Sequence, residues 1–107
     1  VYSVPPVPGV SVADLAALLA DDPSIPLVDV REHDEYVAGH VPSAAHMPLS
    51  TVPLRHDELP RDRTVFVVCA VGGRSAQAVA WLNEHGYDAV NVEGGTRDWV
   101  MNGYPVE

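Results

Sequence analysis

Short apolar runs alternate with polar, helix-forming stretches along the 107 residues. Thr64 to Val68 reads as a strand buried on both faces, Leu27-Val28-Asp29-Val30 as a second buried strand, and Ala89-Val90-Asn91-Val92 as a last strand. Val10 and Ala44 to Met47 predict two shorter strands. Ser11, with Asp14 three residues on, caps a helical run from Ala13 to Ala20. A short helix after Arg31 ends at Gly39, and Ser50 to Glu58 forms a helix or an irregular connection with Pro53 in its first turn. A longer helix opens at Ser75, turns Ala76, Val79, Ala80 and Leu82 to the sheet, and stops at Gly86. Thr96 caps a last helix that carries Trp99 and Val100. Strands alternating with helices predict an α/β fold: a doubly wound sheet of about five mainly parallel strands, flanked by helices on both faces. Pro5, Pro6 and Pro8 make 1–9 an extended arm, leaving 10–107 as one domain.

Ligands in such folds sit beyond the carboxyl ends of the strands. The chain's one cysteine, Cys69, stands at such an end. Ala70-Val71-Gly72-Gly73 follows as a small-residue turn, then the cation Arg74 and the helix opened by Ser75. A free thiol with a pKa near ~8.5 is only about 3% thiolate at neutral pH. Making it mostly thiolate takes roughly 2.7 kcal/mol of selective stabilisation. A helix N-terminus supplies only about 0.3–1 kcal/mol of that. Turn amides converging on the sulfur and the charge of Arg74 are the remaining sources. Glycine at 72 and 73 lets amides point inward with no Cβ in the way. The same concavity would hold an incoming anion. Set against this, a single cysteine at a strand end also serves as a small buried hydrophobe.

Composition narrows the classes. With 47% apolar and 20% charged residues, the chain is globular in character. The net charge is −9 and every cation is arginine, which argues against nucleic acid or an anionic membrane as partner. One cysteine excludes an internal disulfide and a CxxC redox or zinc motif. His33, His40, His46, His56 and His85 have no metal-site spacing, so neither metal nor cofactor is expected. No apolar stretch is long enough to span a bilayer and no signal peptide is evident, so a cytoplasmic location is expected.

Three blocks in order resemble the rhodanese family. DVREHDEYVAGHVPSAAHMPL is similar to its first signature, with Asp29, Arg31, Glu35, Tyr36, Gly39, His40 and Val41 in sequence. CAVGGRS resembles its six-residue active-site loop, Cys69 through Arg74, and VEGGTRDWVMNGYPV its C-terminal signature. The first block departs at Ser43 to His46, where many relatives carry a glycine-alanine turn. The loop also carries a single charge, unlike those relatives with two or more basic residues that hold thiosulfate firmly. The resemblance implies a sulfurtransferase. Cys69 would take sulfane sulfur from a donor such as thiosulfate as a persulfide, then pass it to cyanide or a thiol, giving ping-pong kinetics. It also implies that Ala70, Val71, Gly72, Gly73, Arg74 and Ser75 bind substrate. The partners so implied are a small donor anion, a thiol or cyanide acceptor, and a protein acceptor. The alternative is a sulfur carrier or regulatory binding module that uses the same cysteine. A phosphatase or arsenate reductase ranks lower, because those relatives have a loop one residue longer.

The remaining polar residues are expected in supporting roles. Asp29 either orients loop amides or an arginine, or caps the next turn. Arg31 and Glu35, four apart, are expected to form a structural ion pair. His40 is expected to fix the turn after Gly39. Arg97 falls either at the pocket mouth or at a solvated helix start.

Overall fold

The computed structural model describes residues 6–107; positions 1–5 of the expected arm lie outside the described residues. The elements in order are β1 (Gly9–Val10), α1 (Val12–Asp21), β2 (Leu27–Asp29), α2 (His33–Ala38), β3 (Ala45–His46), α3 (Val52–Arg55), β4 (Val65–Val68), α4 (Gly73–Glu84), β5 (Ala89–Val92) and α5 (Gly95–Met101). Two 3-10 turns, Leu49–Thr51 and His56–Glu58, flank α3. Among the described residues the five strands form one sheet in the order β1-β5-β4-β2-β3, and every neighbouring pair is parallel. The expected α/β architecture with helices on both faces is what the chain adopts.

The side-chain alternation of the central strand sorts the core into two layers. Val65 and Val67 join a cluster with Val28, Val30, Ala78, Val79 and Leu82, so α4 covers that face. Phe66 and Val68 join Leu15, Leu27, Val92 and Trp99, placing α1 and α5 on the other face. Leu15 and Leu82 are fully buried, and each contributes about 1.5–3 kcal/mol by leaving water. Because β4 is central and the sheet is parallel, Cys69 emerges between the loops that follow β5 and β2. The fold thereby brings three sequence-distant segments to one edge.

The start of α1 follows the sequence, with the Asp14 amide donating to Ser11 Oγ at 3.1 Å. Three boundaries differ. Gly9, expected to close the arm, is already in β1, paired with Asn91. The central helix begins at Gly73 rather than Ser75. Gly72 takes a left-handed conformation (φ 110) as its N-cap, and its carbonyl already accepts the Ala76 amide at 3.2 Å. The last helix is capped by Gly94 (φ 81), not Thr96, whose groups are used elsewhere. Ser43 adopts φ 71, a left-handed turn position that glycine fills without strain.

Candidate active site

The Cys69 side chain belongs to the α4-side layer and the residue is 1% exposed, yet its sulfur is not in a purely aliphatic setting. The Gly72 amide donates to Sγ at 3.1 Å, and Ser75 Oγ lies 3.1 Å from it. Burial pushes the Cys69 thiol up. The Ser75 hydroxyl and amide, then the amides of Gly72 and Val71, outweigh burial and leave the thiol below its ordinary value. The turn after β4 therefore aims several donors at one sulfur, and the left-handed Gly72 makes that aim possible.

A second glycine turn backs the first. The Thr96 amide and hydroxyl both donate to the Cys69 carbonyl, at 2.8 and 3.1 Å, and the Arg97 amide donates to the Ala70 carbonyl at 3.0 Å. Thr96 thus clamps the neighbouring loop instead of capping its own helix. A Cβ at Gly95 would lie 2.5 Å from the Cys69 carbonyl oxygen and 2.6 Å from the Ala70 carbonyl, so this approach requires glycine. The Arg97 side chain is exposed and, among the described residues, pairs with its neighbour Asp98, which fits the solvated helix start.

The ion pairing differs from expectation. Arg31 does not pair with Glu35; it binds Asp29, with Nη2 to Oδ2 at 2.8 Å and its amide to Oδ1 at 3.0 Å. The i,i+4 rule applies within a helix, whereas Arg31 precedes α2, at the bend two residues beyond Asp29, where its amide reaches the Asp29 carboxylate. Both side chains are buried, and Nη2 also donates to the Gly39 carbonyl at 2.8 Å, joining the end of β2 to the end of α2. Asp29 therefore orients an arginine and fastens the turn after its own strand.

Glu35 instead grips Arg74 with two parallel bonds of 2.7 and 2.9 Å. The Arg74 guanidinium, more than desolvation opposes, holds the Glu35 carboxyl down at about 2. Glu35 also accepts the Glu32 amide at 3.0 Å, which closes the start of α2. The loop's cation is thus neutralised by a carboxylate 39 positions away along the chain. Val71, at the loop tip, is 55% exposed and apolar.

His40 exchanges two backbone bonds with Glu107, of 3.0 and 2.9 Å. Its ring stacks on Tyr36 with centroids 3.8 Å apart, so it fastens the turn after Gly39. Asn91 is the site residue that sequence reading passed over. Its Oδ1 accepts from Ser75 Oγ at 2.5 Å and its Nδ2 donates to the Gly72 carbonyl at 3.2 Å. A polar side chain in an otherwise apolar buried strand was the signal, because such a group must find partners.

The comparisons with known proteins point one way. Residues 11–102 match the family model described as the rhodanese-like domain. A chain named sulfurtransferase from Allochromatium vinosum is 40% identical over 93 residues, covering 86% of this chain and 87% of that one. A Bacillus subtilis protein named as a sulfur carrier, YrkF, is 34% identical over 95 residues, which is 88% of this chain and 51% of that protein. The crystal structure of a rhodanese-related protein from Thermoplasma volcanium superposes with a TM-score of 0.86 at 35% identity, covering 94% of this chain and 98% of that one. No helix among the described residues is long and apolar enough to cross a membrane. By the order of its strands, the loop at the end of the central one and the match along most of its length, this chain belongs to the rhodanese-like domain family.

Proposed function

We propose that the chain is a sulfurtransferase that moves sulfane sulfur from a donor such as thiosulfate to a thiophilic acceptor through a persulfide on Cys69. The observation that carries this reading is the sulfur held against the Gly72 amide and Ser75 hydroxyl, with its thiol drawn below the ordinary value. In the first half-reaction the Cys69 thiolate attacks the sulfane sulfur. A new S–S bond forms while the donor's S–S bond breaks, and the electron pair leaves on sulfite. In the second, cyanide or a thiolate attacks the outer sulfur and the pair returns to Sγ. Main-chain amides of Ala70, Val71, Gly72 and Gly73 supply the anion cradle. Asp29, Arg31 and His40 hold the surrounding turns, and Glu35 holds Arg74. The six-residue span from Cys69 to Arg74 favours sulfur over a tetrahedral oxyanion.

Intact mass after incubation with thiosulfate tests this directly. One added sulfur is expected, removed by cyanide, and Cys69→Ser gains none and turns over nothing. Retained turnover in Cys69→Ser, or no added sulfur from any donor, defeats the reading.

A carrier role, loaded by a protein or thiol persulfide, is favoured by one observation. Arg74 is committed to Glu35, which leaves the loop's own cation balanced where a doubly charged donor would arrive. Loading by a thiol-borne persulfide with none by thiosulfate selects that reading.

A further inference from the structure

The Ser75 hydroxyl has one proton and two acceptors in reach: Asn91 Oδ1 at 2.5 Å and Cys69 Sγ at 3.1 Å. Cys69, Ser75 and Asn91 are all buried, so bulk water does not relieve the competition. The orientation of the Asn91 amide is fixed by its Nδ2 donating to the Gly72 carbonyl at 3.2 Å. Turned the other way, its oxygen would face that carbonyl oxygen.

We infer that Asn91 is a positioning residue: it holds the Ser75 proton away from Sγ until that sulfur carries charge. With a neutral thiol every group is satisfied, since S–H donates to Ser75 Oγ and the hydroxyl donates to Asn91. When the thiol loses its proton, Sγ becomes an anionic acceptor. Charge-assisted bonds are about twice as strong as neutral ones, so the hydroxyl swings to the sulfur. In a persulfide, the state that the proposed transfer reaction would create, the charge sits on the outer sulfur. Sγ is then a weak acceptor and the proton returns to Asn91. The Ser75 bond is therefore present when Sγ attacks and again when it is expelled as a leaving group, and absent in between. Among the described residues, the charged groups that bear on this cluster are Arg74 on α4, which interacts electrostatically with Cys69, and Glu35 and Glu32, which act on Arg74 in turn. The clamping contacts from α5, through Thr96, bring no charge.

The test is the pH dependence of iodoacetamide alkylation, followed by intact mass in the unaltered protein, Ser75→Ala, Asn91→Leu and the double variant. With one cysteine, modification of the thiol is confined to Cys69. Ser75→Ala should move the midpoint up and slow alkylation at neutral pH by about ten- to hundredfold, the range of one hydrogen bond to a charged group. Asn91→Leu should move it down and speed alkylation by roughly threefold or more, because the competing acceptor is gone. The Gly72 carbonyl keeps its Ala76 partner there. The double variant should match Ser75→Ala. A merely structural Asn91 predicts the opposite sign, since a loosened loop withdraws the Gly72 amide from sulfur. Slower or unchanged alkylation in folded Asn91→Leu overturns the inference, as does an Asn91 effect that persists without Ser75. Should Asn91→Leu fail to fold in a thermal melt, the infrared S–H band of the unaltered protein decides. The hydrogen-bonded position is expected, moving to the free position in Ser75→Ala, and a free band in the unaltered protein overturns the assignment. If the unaltered protein takes no sulfur from any donor, the transfer reading fails while the alkylation result stands.

Discussion

The turns after β4 and β5 are built alike and do different work. Each places a left-handed glycine, Gly72 or Gly94, as the N-cap of the next helix, a cap residue with no side chain of its own to accept the helix's first amides. Each is followed by a second glycine and an arginine nearby. The first turn faces its amides toward a sulfur, whereas the second faces its amides toward the carbonyls of the first. What separates them is the residue at the strand end and which backbone lies opposite. A glycine turn at a helix start is a generic donor array, and its target decides its role.

The largest effect comes from erasing that target. Cys69→Ser keeps the first turn's shape and should abolish sulfur uptake, as measured by mass. Next is the contact between the turns. Gly95→Ala combines a left-handed φ of +60 with a Cβ driven into the Cys69 and Ala70 carbonyls. A loss of about 2–5 kcal/mol is expected in urea unfolding. The control is Gly103→Ala, which has φ +82 but open space around it, and should cost only about 1–2 kcal/mol. Equal losses would mean that conformation alone, not the backing contact, sets the cost. Gly72→Ala is smaller in stability, because its Cβ meets nothing closer than 3.6 Å, but φ 110 is strained by about 1–3 kcal/mol. Relaxing that strain displaces the amide at the sulfur, so alkylation at neutral pH should slow by roughly tenfold. The smallest effect is Glu35→Gln, which removes a partly exposed pair worth about 0–1 kcal/mol. Glu35 titrates near 2 in the fold against an ordinary 4.5, so its contribution is complete above 4.5 and is lost as pH falls toward 2. Acid melts should therefore show the variant and the unaltered protein converging over that interval.

What could be read beforehand was what is local. The apolar runs gave the strands, because a β-branched stretch between turns has few other uses. Cys69, Gly72 and the following helix are contiguous, so their relation is written in spacing. The Arg74–Glu35 pair is not, since it joins residues that only the sheet order brings together. The Arg31–Asp29 pair was hidden by a spacing rule applied one turn too early. Thr96 looked like a cap because threonine before a helix often is one. Only the packing of α5 against the loop reveals that its hydroxyl faces another segment. Asn91 was visible as an oddity in its strand, but its partners were not.

The grip of α5 on the loop has a consequence for observation. The amides of Thr96 and Arg97 belong to α5, apart from the loop that carries the nucleophile, yet they end on the carbonyls of Cys69 and Ala70. Their NMR shifts and exchange rates should register each change of charge at the sulfur, giving two spectroscopic sentinels that need no label and leave the reacting residues untouched.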